Sequence, residues 1–452
     1  MTAQAGSMSI LSRRSLMGSS ILVAENVLRL GLVAAVSLWI AHQLGPAQFG
    51  LLNHASALVA VFWSAALLGL DTPLTARLAT TPQPGLVLGS AIALRVSTGV
   101  LGGAVALLAA LLLRGDEPGA VLLTAIVALA VPLSAPFVVD AWFKAHGDAV
   151  VPALARLSAT LLSCAAKTGV LLAGGGVVAL AWTVALESLL VAAALVLAYR
   201  RRAPAAAAHR LAVKGAQMIA LLRESWPFML SALAVAACMK IDVVMLGVLA
   251  GNEQTGLYSL SQKLCEVLYL VPVIVVDVLF PQLVRHHALH GSSAAPLQVF
   301  FDMAFAAALL VTVLAIACVV LALPTLFGEP YRPTVGIFVV HAWACLGIAL
   351  NHARFKWMAA TGRQGLAPWV ALLGLVLAVA LHAVLIPLHG AMGAAVGTVA
   401  AFLVSGWLVS YLFPSLRPAA AMQTRSLWPW RRLWREWRLW RAGATPSTVG
   451  TS

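Results

Sequence analysis

A chain of 452 residues has room for two or three soluble domains, but its composition excludes them. Hydrophobic residues make up 62% and charged residues only 10%, against roughly 25% charged in a soluble domain. The formal net charge of +14 follows from Lys and Arg gathering on one side of the apolar runs, so it does not call for nucleic acid as a partner.

Arg13 and Arg14 stand before the first apolar run and give it a faint likeness to a twin-arginine export signal. Glu25 and Arg29 inside that run, and the lack of a small-x-small cleavage site, favour a retained first helix. Apolar runs of about 20 residues, the length that crosses a hydrocarbon core as helix, then recur along the chain. Lipid offers no partners to backbone N–H and C=O groups, so helix is the required conformation. In chain order the spans are expected at 20–43, 50–70, 86–113, 119–139, 151–173, 176–199, 225–249, 256–283, 297–323, 334–353, 366–388 and 391–413. The longest connection, 200–224, is rich in Arg and Ala and parts the spans into two groups of six. The expected organisation is therefore an all-α integral membrane fold of about twelve helices. Its parts are residues 1–212, residues 213–415 and a tail at 416–452.

With the N-terminus inside, 21 of the 29 Lys and Arg residues fall in cytoplasmic segments, Arg354 among them, and only Arg114 and Arg332 fall outside. That asymmetry predicts cytoplasmic N- and C-termini and an even number of spans. The five cysteines lie within apolar stretches without metal-site or redox-motif spacing and read as inert small residues. His286, His287 and His290 share a charged loop and read as solvated.

Ionisable groups inside spans are costly and usually face a cavity or a partner. Glu25 and Arg29 are spaced i, i+4 in span 1, and Lys263 and Glu266 are spaced i, i+3 in span 8. Arg95 lies in span 3, Arg156 and Lys167 in span 5, Glu187 in span 6, and Lys240 with Asp242 in span 7. Arg156 and Lys167 can snorkel to opposite interfaces. At about 1.5 Å per residue, Arg29 and Arg95 come out roughly 14 Å from the cytoplasmic end of their spans. Lys240 and Lys263 fall in the outer half at similar depth. Basic groups at stepped depths suit the passage of an anionic headgroup, because a diphosphate must keep its charge compensated on crossing.

Gln48-Phe49-Gly50-Leu51 joins spans 1 and 2, and Gln254-Thr255-Gly256-Leu257 joins spans 7 and 8, 206 residues later. Matching places in the two halves point to a parallel internal repeat. In the tail, Trp430, Leu433, Trp434, Trp437 and Trp440 follow helical spacing, with Arg431, Arg432, Arg435, Arg438 and Arg441 on the other faces. Such a helix is expected to lie at the cytoplasmic surface against anionic lipids. No nucleotide-binding, hydrolase or metal-ligand motif is present, so no cofactor and no enzymatic activity are expected, and transport would draw on gradients.

Leu44-Gly45-Pro46-Ala47-Gln48-Phe49-Gly50 resembles the signature after the first span of polysaccharide flippases. Lys240-Ile241-Asp242 with Met245-Leu246-Gly247, then Gly256-Leu257-Tyr258-Ser259 and Phe280-Pro281, resembles the second-half pattern of the same family. The chain is thus similar to the Wzx-type oligosaccharide flippases of the multidrug/oligosaccharidyl-lipid/polysaccharide exporter superfamily. The resemblance implies two six-helix lobes about a central cavity. Its implied cargo is an undecaprenyl-diphosphate-linked sugar repeat unit bound for O-antigen, capsule or exopolysaccharide, in the bacterial inner membrane. On that basis Arg29, Arg95, Lys240 and Lys263 are expected to contact the diphosphate. Glu25, Asp242 and Glu266 are expected to balance these bases or to carry coupling protons. The polysaccharide polymerase machinery is a further candidate partner. The Trp/Arg tail is not part of the family pattern. Rival readings are a drug or cation antiporter, a lipid II-type flippase, and a membrane polymerase. Numerous bases, a count of twelve spans and the lack of a sizeable outer loop argue against each in turn.

Overall fold

The computed structural model describes residues 13–203, 211–290, 294–430, 432 and 434, with side chains outside 13–24, 227, 231, 282, 285–290 and 294–296. Arg431, Leu433 and residues 435–452 of the expected Trp/Arg tail, and the side chains of Arg13, Arg14, His286, His287 and His290, lie outside this description, while the backbone at the three histidines, expected in a loop, is helical. All regular structure among the described residues is helical. The main helices are α1 (Arg13–Ala66), α2 (Asp71–Thr80), α3 (Pro84–Arg114), α4 (Pro118–Ala128), α5 (Ala130–Leu133), α6 (Val139–Ala145), α7 (Val150–Leu172) and α8 (Val177–Arg202). They continue as α9 (Gly215–Leu249), α10 (Gly251–His290), α11 (Ala294–Phe327), α12 (Arg332–His341), α13 (Ala344–Ala360), α14 (Ala367–Gly406) and α15 (Arg417–Ser426).

Two of the expected pairs of spans are drawn as single helices broken at one glycine. In α1 the break is Gly45, at φ 71° and ψ 169°, followed by Pro46, which has no N–H to give to the preceding turn. In α14 it is Gly390, at φ 54° and ψ −131°. Both conformations belong to glycine, since a Cβ is strained at positive φ. Nine described segments are long and apolar enough to cross a membrane, or ten if the bent pair Glu329–His341 and Ala344–Ala360, at 41°, is one span. Segments of 56 and 49 residues contain the two glycine breaks and are each about twice the length of one crossing. Counting each as two passes brings the total to the twelve expected.

By packing, the chain forms two compact units, Met1–Gly256 and Leu257–Ser452. Helix α9 belongs to the first, so this division falls later than the connection at 200–224. The core of the first unit gathers Leu70, Leu74, Leu88, Val138, Phe143 and Leu195, all at 1% exposure or less. That of the second centres on Phe301, Ala304, Ala353, Met358 and Leu416. Meanwhile Leu112, Leu172 and Leu321 are 75–77% exposed. Large apolar side chains turned outward along long helices are what a lipid-facing surface requires.

Candidate functional site

In the first unit Arg29 sits one helical turn after Glu25. Its Nε lies 3.2 Å from a Glu25 carboxylate oxygen, and its Nη2 donates to Asn26 Oδ1 at 2.8 Å. Glu25 is the buried member of this pair and Arg29 the more open one, with side-chain exposures of 6% and 31%. Arg95 is placed differently. It is buried, and its Nη2 donates at 3.3 Å to both the Leu67 carbonyl and Asp71 Oδ1. One turn later on α3, Thr98 Oγ1 donates to the Ala66 carbonyl at 2.9 Å. Together they satisfy carbonyls that the end of α1 leaves without helical partners. Lys240 is half-buried, and Asp242 is buried with its Oδ1 accepting the Val243 N–H at 2.8 Å.

The other bases of this unit are committed to carboxylates, within one helix for Lys144 and across helices for Arg156 and Lys167. Asp140 receives Lys144 at 2.7 Å and Arg156 at 3.1 Å. Glu187 on α8 takes Lys167 at 2.6 Å and the Ser163 hydroxyl at 2.9 Å, both from α7. Arg156 and Lys167 thus each hold an ion pair within the protein. Arg114, expected in an outer loop, is buried against Glu117 and donates to Asn252 Oδ1 at 2.9 Å, while Asn252 Nδ2 donates to Glu117 at 2.6 Å.

Beside this triad the two repeat motifs meet. A Cβ at Gly50 would run into the Asn252 carbonyl, and a Cβ at Gly256 would run into the Pro46 carbonyl. Each residue in one contact lies 206 positions from its counterpart in the other, the spacing between the motifs in the sequence. The glycines of the internal repeat are sterically necessary at one shared backbone contact.

In the second unit Lys263 Nζ lies 3.3 Å from Glu266, and both side chains are partly open, at 24% and 38%. Arg354 was expected in a cytoplasmic segment but is fully buried. Its guanidinium donates to the Ser405 carbonyl at 2.7 Å, Ser410 Oγ at 2.9 Å and Asn351 Oδ1 at 2.5 Å. It therefore sits at the C-terminal end of α14, where free carbonyls and the helix dipole favour a cation. Gln423 on α15 assists by donating to the Gly406 and Leu350 carbonyls at 2.7 and 3.0 Å. Asp302 is also fully buried. Arg432 holds it through contacts of 2.7 and 3.0 Å, Gln298 donates to it at 2.9 Å, and the carboxylate in turn raises the pKa of the Arg432 guanidinium.

The four expected cargo-binding bases therefore divide. Arg29 and Lys263 stand in partly open ion pairs with their expected acidic neighbours, Lys240 is half-buried, and Arg95 is enclosed. Two clefts in the first unit, of about 280 and 450 Å³, are lined by neither these bases nor Glu25, Asp242 or Glu266.

Solved structures share this arrangement of helices, among them the following three. A multidrug resistance MATE family transporter of the MOP superfamily, in an inward-facing conformation, matches with TM-score 0.66 and 16% identity over 87% of this chain and 95% of its own. The lipid II flippase MurJ, in an inward closed conformation, matches with TM-score 0.72 and 12% identity over 90% of each chain. The eukaryotic MATE transporter AtDTX14 matches with TM-score 0.58 and 14% identity over 90% of this chain and 97% of its own. The fold is that of the MOP-superfamily transporters. Residues 15–287 match the model of the polysaccharide biosynthesis protein family, which is more than half of the chain, and the chain belongs to that family. No curated protein matches the sequence.

Proposed function

We propose that this chain is a transporter, not an enzyme, that flips undecaprenyl-diphosphate-linked oligosaccharide repeat units across the bacterial inner membrane for polysaccharide assembly. Membership of the polysaccharide biosynthesis family supports the cargo class. The observation that carries the mechanism is the pair of partly open ion pairs, Arg29–Glu25 and Lys263–Glu266. Each offers a partly open base held by one carboxylate, which a doubly charged diphosphate can displace. Lys240, half-buried between them in sequence, is the third contact. Arg95 supports the end of α1 and acts on transport through the architecture.

Both termini lie on the cytoplasmic side in this reading. Trp428, Trp430 and Trp434, all about half exposed or more, enter the headgroup region of anionic lipids there. The test is genetic. In a strain lacking the chromosomal copy, Arg29→Gln, Lys240→Gln and Lys263→Gln should each lower surface polysaccharide at least about tenfold, the effect of roughly 1.4 kcal/mol lost from cargo binding. Lipid-linked repeat units should accumulate at unchanged protein levels. Normal polysaccharide in all three variants, or its loss without accumulated repeat units, would sink the proposal.

A further inference from the structure

The second unit holds a charged cluster that the proposed cargo contacts do not include. Asp277 lies on α10 in the otherwise apolar run 271–280, and His352 and Lys356 lie one turn apart on α13. His352 Nε2 at 3.1 Å and Lys356 Nζ at 2.8 Å approach the same oxygen, Asp277 Oδ1. Lys356 Nζ also lies 5.0 Å from the ring centroid of Phe280, one turn beyond Asp277. Each of the three polar residues adjoins a member of one buried core. Val276 precedes Asp277, Ala353 follows His352 and Trp357 follows Lys356. Packing among these core residues fixes the backbones that carry the cluster.

A carboxylate inside a membrane-spanning segment is costly against hydrocarbon. Asp277 falls within the segment Gly251–Pro281, yet its side chain is 48% exposed, with Lys356 at 30% and His352 at 28%. Asp302 in the same unit shows the purely structural solution, a carboxylate at 0% exposure held by a guanidinium and an amide. A group as open as Asp277 has to meet water. With the spans running as the Lys and Arg asymmetry predicts, residue 277 is about 9 Å from the cytoplasmic end of its span. His352 and Lys356 stand at the cytoplasmic end of the tenth span, so both helices agree on the side. Two donors on one helix face thus share a single carboxylate oxygen. A phosphate offers more oxygens and more charge, and it can take both donors at once.

We propose that Lys356 and His352 form an entry site for the phosphates of a membrane lipid at the cytoplasmic end of the second unit, with Asp277 as the counter-anion that the incoming phosphate displaces. The identity of the lipid rests on the flippase reading above, on which the phosphates are those of the cargo. Exchange keeps the ammonium compensated throughout. Phosphate oxygens take Lys356 and His352 while Asp277 turns to water, and Asp277 returns to both when the lipid moves on. The Phe280 ring keeps the ammonium in place during the exchange through its cation–π contact.

The test uses the full chain in detergent micelles and the equilibrium binding of labelled farnesyl diphosphate, with the melting temperature recorded alongside. Lys356→Gln should weaken binding about tenfold, the loss expected for one charge-assisted hydrogen bond. Lys356→Arg should keep binding close to wild type. Asp277→Asn should instead tighten it, because the competing carboxylate is gone. An ion pair that only braces the helices would lower melting in both charge-removing variants without opposite shifts in binding. Phosphatidylglycerol added to the micelles identifies the lipid. Weak competition supports the diphosphate, and competition equal to that of unlabelled farnesyl diphosphate overturns the assignment to cargo. Unchanged probe binding in Lys356→Gln overturns the site whether or not Asp277→Asn folds, as do shifts of the same sign in the two. If Arg29→Gln, Lys240→Gln and Lys263→Gln leave polysaccharide normal while the opposite shifts persist, the flippase reading falls and the phosphate site stands.

Discussion

At the scale of single residues, burial decides what each charge can do. Arg354 and Asp302 are both fully enclosed, yet they solve the problem differently. Arg354 faces carbonyls, a hydroxyl and an amide oxygen at the end of a helix, while Asp302 takes a guanidinium and an amide. Replacing Arg354 with Met removes several hydrogen bonds and leaves the Ser405 carbonyl without its donor. The expected cost is about 1–3 kcal/mol, read as a lower melting temperature of the solubilised protein. Gly50 and Gly256 are limited by backbone, which cannot step aside as a flexible side chain can. Gly50→Ala or Gly256→Ala should each cost about 1–3 kcal/mol by overpacking, measured in the same way. Unchanged melting in both would show that the two segments separate easily. The sequence marked these glycines through the repeat, but it could not show that the two copies touch. His352 passed unmarked because a lone histidine in an apolar run has no spacing to single it out. Only the fold brings α13 to Asp277 on α10.

At the scale of elements, apolar length was legible and pairing across helices was not. Runs of about 20 apolar residues set the spans, and the positions of Gly45 and Gly390 set the breaks. The pairs Glu25–Arg29 and Lys263–Glu266 were readable because partners within one turn of helix share a face. Lys167–Glu187, Arg95–Asp71 and Asp302–Arg432 join positions 20, 24 and 130 residues apart, and no local rule connects them. The Gly390 break makes a specific prediction. Gly390→Ala places a Cβ in a backbone region that is nearly closed to other residues, at a cost of about 1–3 kcal/mol. It would also disturb the register between His382 and Thr398 on its two sides, and both effects should lower the melting temperature of the solubilised protein. Arg432→Ala leaves the buried Asp302 carboxylate with Gln298 alone, and the helix α15 that Gln298 also holds through the Met422 carbonyl should loosen. Faster amide exchange across Arg417–Ser426 is the expected observation, and Asp302→Asn in the same chain should restore most of the lost protection.

At the scale of the molecule, two units with separate cores carry different duties in the reading offered here. The first holds the repeat contact and most of the inter-helix ion pairs. The second holds the Asp277 cluster and the docked helix α15. The asymmetry of Lys and Arg predicts where both ends of the chain emerge. Reporter fusions at the N-terminus and after Trp434 should both be active only as cytoplasmic reporters, and one end found outside would remove the even count of passes. Cargo identity at the level of the sugar was not legible, because hydroxyl recognition depends on side chains from several helices whose distances no sequence pattern encodes.

The meeting of Gly50 with Gly256 carries a consequence for descent. Pro46 answers to Asn252 and Gly50 to Gly256 at a constant offset, so the contact is the same patch presented twice. That is the rule of an isologous interface between identical subunits. A half-length ancestor bearing one such glycine could have paired with itself through this surface before duplication placed both copies in one chain. The present contact would then be a former dimer interface made permanent by a peptide connection.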